Sequence, residues 1–407
     1  MKILRKWMLS VVCCCASAAY AQQAMEGYTF DNYPRVDGST STLPLNRIIA
    51  CKLLGLSYNW ELSISGVYGV YVPFPSNPDG WERSRRFQEL TQSSQTHYSF
   101  INLIDNKADV IITARKMSAG ERAYAEEAGV SLIETPIAWD AFIMLAHAQN
   151  PVGSLTKKQI QDIYTGQVTN WSKVGGKDRK INPYSRNYDS GSQELMETFV
   201  MGELEMPEWP YDYDVIRAEV TYMYQAYELL GGDPDGICYS VHYYRERIMN
   251  EGMKNLVKSL AIEGIPPNEQ TIADGTYPFR AEVYAVIRSD QDRESRAYKL
   301  YEWLRTEEGK AVITESGYLP YNGQADHSLP VAYPEIRLYP NPAADGFYVS
   351  GLTRMASCAL FDLSGRKVLS LPVADGGYVR MTSLPTGPYI VTLSDGKKTV
   401  RHKLMKR

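Results

Sequence analysis

From about residue 30 to residue 325 the chain alternates two periodicities. Short aliphatic runs, ADVIITA (108–114), AFIMLAH (141–147), GICYSV (236–241) and VYAVIRS (283–289), have the length and composition of buried strands. Between them, apolar residues recur at three- and four-residue spacing in TLPLNRIIACKLLGL (42–56), TKKQIQDIYTG (156–166), SQELMETFVMG (192–202) and SRAYKLYEWLRTEEGKAVITESG (295–317). These stretches predict helices. The alternation predicts an α/β fold with mainly parallel sheets. Near residue 325 the pattern changes. NGQADHSLPVAYPEI (322–336) is polar and proline-bearing, and beyond it short alternating strands are punctuated by Asp-Gly and Ser-Gly pairs. That second pattern predicts a small β-sandwich.

The first 21 residues follow neither pattern. A basic start, MKILRKW, an apolar run, MLSVVCCCASAAY, and the small-x-small triplet Ala19-Tyr20-Ala21 before Gln22 read as a secretory signal peptide cleaved after Ala21. Cys13, Cys14 and Cys15 raise a lipoprotein alternative, against which stands Val12, where a lipidation motif needs a small residue. No later segment approaches the roughly 20 apolar residues of a membrane helix. Beyond the leader, Cys51, Cys238 and Cys358 are odd in number and lack metal-ligand spacing, so they are expected to be small buried residues. A chain of 407 residues predicts two or three packed units, and a net charge of -4 argues against nucleic-acid or membrane-surface binding.

Candidate chemistry sits where helices are predicted to begin. In YSRNYDSGSQELMETF (184–199), Arg186, Ser190, Gly191 and Ser192 precede a helical stretch. Hydroxyls and free backbone N–H groups at a helix start, beside an arginine, form an anion site, and a glycine lets backbone approach a ligand closely. The plainer alternative is a helix cap, with Arg186 paired to Asp189. VDGSTSTLPLNRIIA (36–50) repeats the device, with Ser39, Thr40 and Ser41 ahead of a helix carrying Pro44 in its first turn. SSQTHYSFINLIDNKADV (93–110) offers a third start at Thr96.

Catalytic signatures are missing or have a structural reading. Ser154-Leu155-Thr156-Lys157 matches S-x-x-K, but Thr156 followed by Gln159 reads as a capping box. There is no G-x-S-x-G elbow, H-E-x-x-H pair or P-loop, and GGDPDG (231–236) lacks the spaced ligands of a calcium loop. No catalytic residue, cofactor or metal is expected.

VDGSTSTLPL, NPVGSLTKKQIQDIYTGQVTNWSKVGG, SRNYDSGSQELM, GIPPNEQTIADGTYPF and YEWLRTEEGKAVITESGYLP, in that order across residues 33–322, resemble the phosphate-binding proteins of ABC transporters. The resemblance implies a two-lobed periplasmic-binding-protein fold of type II, hinged and closing on an oxyanion. It implies phosphate ligands at Ser39, Thr40, Thr96, Arg186, Ser190, Gly191 and Ser192. Some members carry an aspartate after the strand ADVIITA that accepts a hydrogen bond from protonated phosphate. Here Arg115 stands there, pointing either to the cleft or to solvent, and Asp189 is a substitute acceptor.

YPNPAADGFYV, LFDLSGRKVL, LPTGPYIVTL and HKLMKR resemble the C-terminal sorting domain of the type IX secretion system of Bacteroidetes, an immunoglobulin-like sandwich removed after export. The expected division is a signal peptide at 1–21, lobe 1 at 24–136 and 285–325, lobe 2 at 137–284, a linker at 322–334 and the sorting domain at 335–407. The expectation is a secreted or surface oxyanion-binding protein, non-enzymatic, handled by the Sec translocon and the type IX machinery, with no nucleic-acid partner. Two alternatives stay open: a surface adhesin that keeps the fold without a ligand, and a secreted phosphatase.

Overall fold

The computed structural model describes residues 27–207, 215–323 and 337–407, apart from breaks at 351, 353–354, 363–365, 375 and 395–398. The leader read at 1–21, its three adjacent cysteines included, and nearly all of the linker read at 322–334 lie outside the described residues.

The first lobe begins with β1 (Val36–Gly38) and α1 (Leu43–Leu54), followed by a hairpin of β2 (Asn59–Leu62) and β3 (Tyr68–Tyr71). It continues through α2 (Pro78–Leu90), α3 (Gln95–Ile104), β4 (Val110–Thr113) and α4 (Ala119–Glu127). Strand β5 (Leu132–His147) carries the chain into a second lobe. That lobe contains β6 (Ser154–Leu155), α5 (Lys157–Tyr164), β7 (Asn182–Arg186), α6 (Gly191–Leu195), β8 (Ala218–Val220), α7 (Met223–Gly232) and β9 (Gly236–Val241). It closes with α8 (Glu251–Leu256), β10 (Val257–Ser259), β11 (Ala261–Ile262) and α9 (Glu269–Ala273). The return runs through β12 (Arg280–Arg288), α10 (Arg296–Trp303), α11 (Glu307–Ser316) and β13 (Leu319–Pro320).

One sheet ties the lobes together, in the order β1-β4-β12-β5-β9-β7-β8, with β10 and β13 also paired to β5. The first part of β5 runs beside β12, and its second part, from Phe142 to Ala146, runs beside β9. A single strand therefore belongs to both lobes, and β12 crosses back next to it. The sequence pattern predicts mainly parallel pairing, and here the structure differs. β1/β4, β7/β9 and β7/β8 are parallel, but β4/β12, β12/β5 and β5/β9 are antiparallel. A chain that leaves on one strand and returns on its neighbour has to reverse direction.

The apolar runs are buried as their composition demands. Every residue of β9 is buried, as is β5 from Ile137 to His147. Two predicted helices come out differently. The stretch 295–317 divides into α10 and α11, because the Thr306 side chain accepts the Gly309 N–H and starts a new helix. In 192–202, α6 spans five residues and gives way to a π-helical turn, Met196–Met201. Cys51, Cys238 and Cys358 are buried and unpaired, as their spacing suggests.

The C-terminal strands form two antiparallel sheets. One contains β14 (Arg337–Tyr339), β15 (Gly346–Ser350) and β18 (Gly377–Arg380). The other is ordered β17 (Lys367–Val373), β16 (Ala356–Phe361), β19 (Gly387–Ser394) and β20 (Thr399–Lys406). Phe347, Val349 and Val379 of the first share one core with Cys358, Leu360 and Val391 of the second, which makes the unit a β-sandwich. It touches the first lobe at α4, where the Tyr348 hydroxyl donates to Glu127 Oε2 at 2.9 Å.

Candidate functional site

Four chain segments that begin helices meet at a cleft of about 90 Å³. Ser39, Thr40 and Ser41 precede α1, Gln95 and Thr96 open α3, Ser190, Gly191 and Ser192 start α6, and Thr221 to Tyr224 lead into α7. All seven residues singled out from the sequence, Ser39, Thr40, Thr96, Arg186, Ser190, Gly191 and Ser192, line it. The hydroxyls are held in place. Ser39 Oγ and Thr96 Oγ1 share a hydrogen bond of 2.7 Å, and Ser39 Oγ accepts the Ala114 N–H at 3.0 Å. Ser190 Oγ caps α6 by accepting the Ser192 N–H at 3.2 Å. Gly191 is needed for close approach: a Cβ there would sit 2.4 Å from Thr96 Oγ1, on the segment facing it.

Arg186 ends β7 and is only 5% exposed. Its Nε donates to the Val220 carbonyl at 3.0 Å and its Nη2 to the Thr221 carbonyl at 3.2 Å. Nη1 is buried with no hydrogen-bond partner among the described residues. The pairing with Asp189 considered from sequence does not form. Asp189 instead faces the Tyr98 hydroxyl at 3.5 Å. Burial pushes the guanidinium pKa down from its ordinary value, and no Asp or Glu lines the cleft among the described residues. A buried guanidinium without a counter-ion retains an unmet demand for an anion.

Arg115 corrects the sequence reading. It points neither to the cleft nor to solvent, being 7% exposed and locked in a two-pronged ion pair with Glu121 at 2.7 and 2.8 Å. Burial alone would push the Glu121 carboxyl up. The Arg115 guanidinium and hydrogen bonds from His97 and the Ser118 N–H outweigh that effect and hold the carboxyl down at about 2. Glu121 also completes the capping box that starts α4. The two other decoys are structural as well. Thr156 and Gln159 form a reciprocal capping box, and Asp233 and Asp235 of GGDPDG bind Asn182, Tyr184 and Arg179. Among the described residues no cluster of His, Cys, Asp and Glu could hold a metal.

The structure adds residues the sequence reading missed. Gln95 lines the cleft with a left-handed backbone, φ 70°, which a non-glycine residue adopts only against a steric penalty. Tyr222, Met223, Tyr224 and Tyr244 also line it. In a chain with thirty tyrosines, VTYMYQAY carries no distinguishing mark. Its one available signal is a threonine just before another helical run.

The strand crossing adjoins the cleft through Tyr318 and Ser41. Asp140 of β5, opposite Ala281 of β12, is 3% exposed. Its Oδ1 accepts the Ala141 N–H at 2.8 Å and the Tyr243 N–H at 2.9 Å, while Oδ2 has no partner among the described residues. Burial pushes this carboxyl up to about 7. Tyr243 stacks on Tyr318 with ring centroids 3.7 Å apart, and the Tyr318 hydroxyl donates to the carbonyl of the cleft residue Ser41.

Two α/β lobes joined by paired crossing strands, with a polar cleft between them, define a class of solute-binding folds. The model of the PBP superfamily domain matches residues 92–308, just over half of the chain, and the chain belongs to that family. Residues 337–407 match the secretion system C-terminal sorting domain. Among curated relatives, the phosphate-binding protein PstS of Bacillus subtilis is 27% identical over 184 residues, covering 44% of this chain and 56% of that protein. The chain thus spans little more than half the length of that relative. Phosphate-binding protein PstS of Borreliella burgdorferi is 22% identical over 236 residues, covering 57% of this chain and 79% of that one. A putative phosphate ABC transporter substrate-binding protein from Clostridium perfringens, solved with bound phosphate, superposes with a TM-score of 0.50 at 18% identity. That superposition covers 70% of this chain and 98% of the other, and shows a shared fold.

Proposed function

We propose that the cleft captures a tetrahedral oxyanion, inorganic phosphate foremost, and that the protein does so outside the cytoplasm. The observation that carries this reading is Arg186, buried beside the cleft, with Nη1 unpartnered and no carboxylate on the lining among the described residues. An anion there satisfies the guanidinium, with Ser39, Thr40, Thr96, Ser190 and Ser192 as hydroxyl or backbone donors and Gly191 admitting close approach. Relatives named as phosphate-binding proteins favour phosphate among oxyanions. Since no carboxylate among the described lining residues can accept a hydrogen bond from a protonated ligand, the site is expected to select for charge and shape and to let sulfate compete. The sorting-domain match supports export across the outer membrane, followed by work at the cell surface or beyond it.

The test is calorimetry of phosphate binding to the protein and to Arg186→Ala. Loss of one charge-assisted contact is expected to weaken affinity about ten- to a hundredfold. Equal affinity in the two proteins would remove Arg186 from the site and take this reading with it.

A further inference from the structure

The cleft is chemically lopsided. One part of its lining is small, polar and buried, with the Arg186 guanidinium and the Ser39, Thr96, Ser190 and Ser192 hydroxyls. The other is aromatic and partly open to water. Tyr222 and Tyr224 both line the cleft, and their rings lie nearly parallel, 13° apart, with centroids separated by 6.0 Å. Tyr222 is 52% exposed. A tyrosine ring left half in water beside a second parallel ring offers a stacking surface. The two halves are also joined mechanically. The guanidinium donates to the carbonyls of Val220 and Thr221, the two residues immediately before Tyr222. Whatever fixes Arg186 therefore fixes the start of the aromatic segment.

A bare inorganic oxyanion would use only the polar half. A phosphate monoester has three oxygens for the donors, and its ester oxygen needs none, so it can leave the polar end toward the mouth. We propose, resting on the oxyanion reading of this cleft, that beside inorganic phosphate it also takes a phosphate monoester bearing a planar unsaturated group. The phosphoryl end sits at Arg186, and the planar group lies against Tyr222 and Tyr224. Met223, on the same wall, adds a polarisable contact suited to a flat π-system.

The experiment is calorimetry of the full chain with three probes: inorganic phosphate, glycerol phosphate and phenyl phosphate. The two esters share the phosphoryl group and differ in the planar substituent. Phenyl phosphate is expected to bind about three- to tenfold more tightly than glycerol phosphate, the range of one aromatic stacking contact. That ratio should fall toward unity in Tyr222→Ala and persist in Tyr222→Phe. Tyr222 is exposed, so both variants should melt as the native protein does. A ratio near unity in the native protein, or one unchanged in both Tyr222→Ala and Tyr224→Ala, overturns the inference. Binding of inorganic phosphate with rejection of both esters overturns it while leaving the oxyanion reading standing. Binding of none of the three removes both.

Discussion

Replacing Asp140 with asparagine is expected to flatten the dependence of stability on pH. In the folded protein the Asp140 carboxyl titrates near 7, against an ordinary 3.8, because burial penalises its charge more than two backbone N–H groups relieve it. Between those values the folded state holds a proton that the unfolded chain has released. Stability therefore falls as pH rises from about 4 to about 7 and then stays level. The separation of 3.8 and about 7 corresponds to about 4 kcal/mol at most. Asparagine keeps the acceptor for Ala141 and Tyr243 and carries no charge to penalise. The small cavity beside it, about 20 Å³, has room for one water to meet the new amide. His242, Glu246, Arg247 and Glu269 also line that cavity, but they are common to both proteins. Urea melts of native protein and Asp140→Asn at half-unit steps from pH 4.5 to 8.5 isolate the effect. The variant should gain about 2–4 kcal/mol on the native protein across that range, nearly all of it below pH 7.5. A difference between the two that does not change with pH would mean that Asp140 titrates normally, and the argument from burial would be wrong.

Glu121→Gln should destabilise the fold by about 3–5 kcal/mol at pH 7, since it strands the buried Arg115 charge. The Glu121 carboxyl is depressed to about 2, so its contribution is present above pH 4.5 and is lost as pH falls toward 2. In urea melts the gap between variant and native protein should close over that window. Gly191→Ala puts a methyl against Thr96 Oγ1, so phosphate affinity measured by calorimetry should drop about tenfold, within the usual ~1–3 kcal/mol cost of overpacking. Deleting residues 335–407 should leave a folded protein trapped in the periplasm, as read by cell fractionation. Intact full-length protein found in the periplasm would contradict the export reading.

The cleft's polar half was legible because its chemistry is local. A Ser-Gly-Ser or Ser-Thr-Ser run ahead of a helical pattern is visible within ten residues, and the structure brings these runs together. The aromatic half was not legible. Tyr222 and Tyr224 owe their place to the backbone that Arg186 holds from another strand. Arg115 was misread for a related reason. Its partner Glu121 lies six residues on, inside α4, where the sequence shows only a surface-like acidic helix start. Strand identities emerged from apolar runs, but pairing direction did not. Direction depends on where the chain returns, which no local pattern encodes.

That return also sets an order of folding. The second lobe is one uninterrupted stretch between β5 and β12, and its β5/β9 pairing spans some 100 residues, counting from Phe142 to Val241. The first lobe is split, and β4 finds its sheet neighbour β12 only after some 170 further residues, counting from Thr113 to Tyr284. Contacts so distant in sequence carry the larger loop-closure penalty and form late. A chain delivered from its N-terminus is therefore expected to complete its outer lobe last. The C-terminal sandwich, arriving last, meets α4 only on a lobe that the return of β12 has just allowed to close.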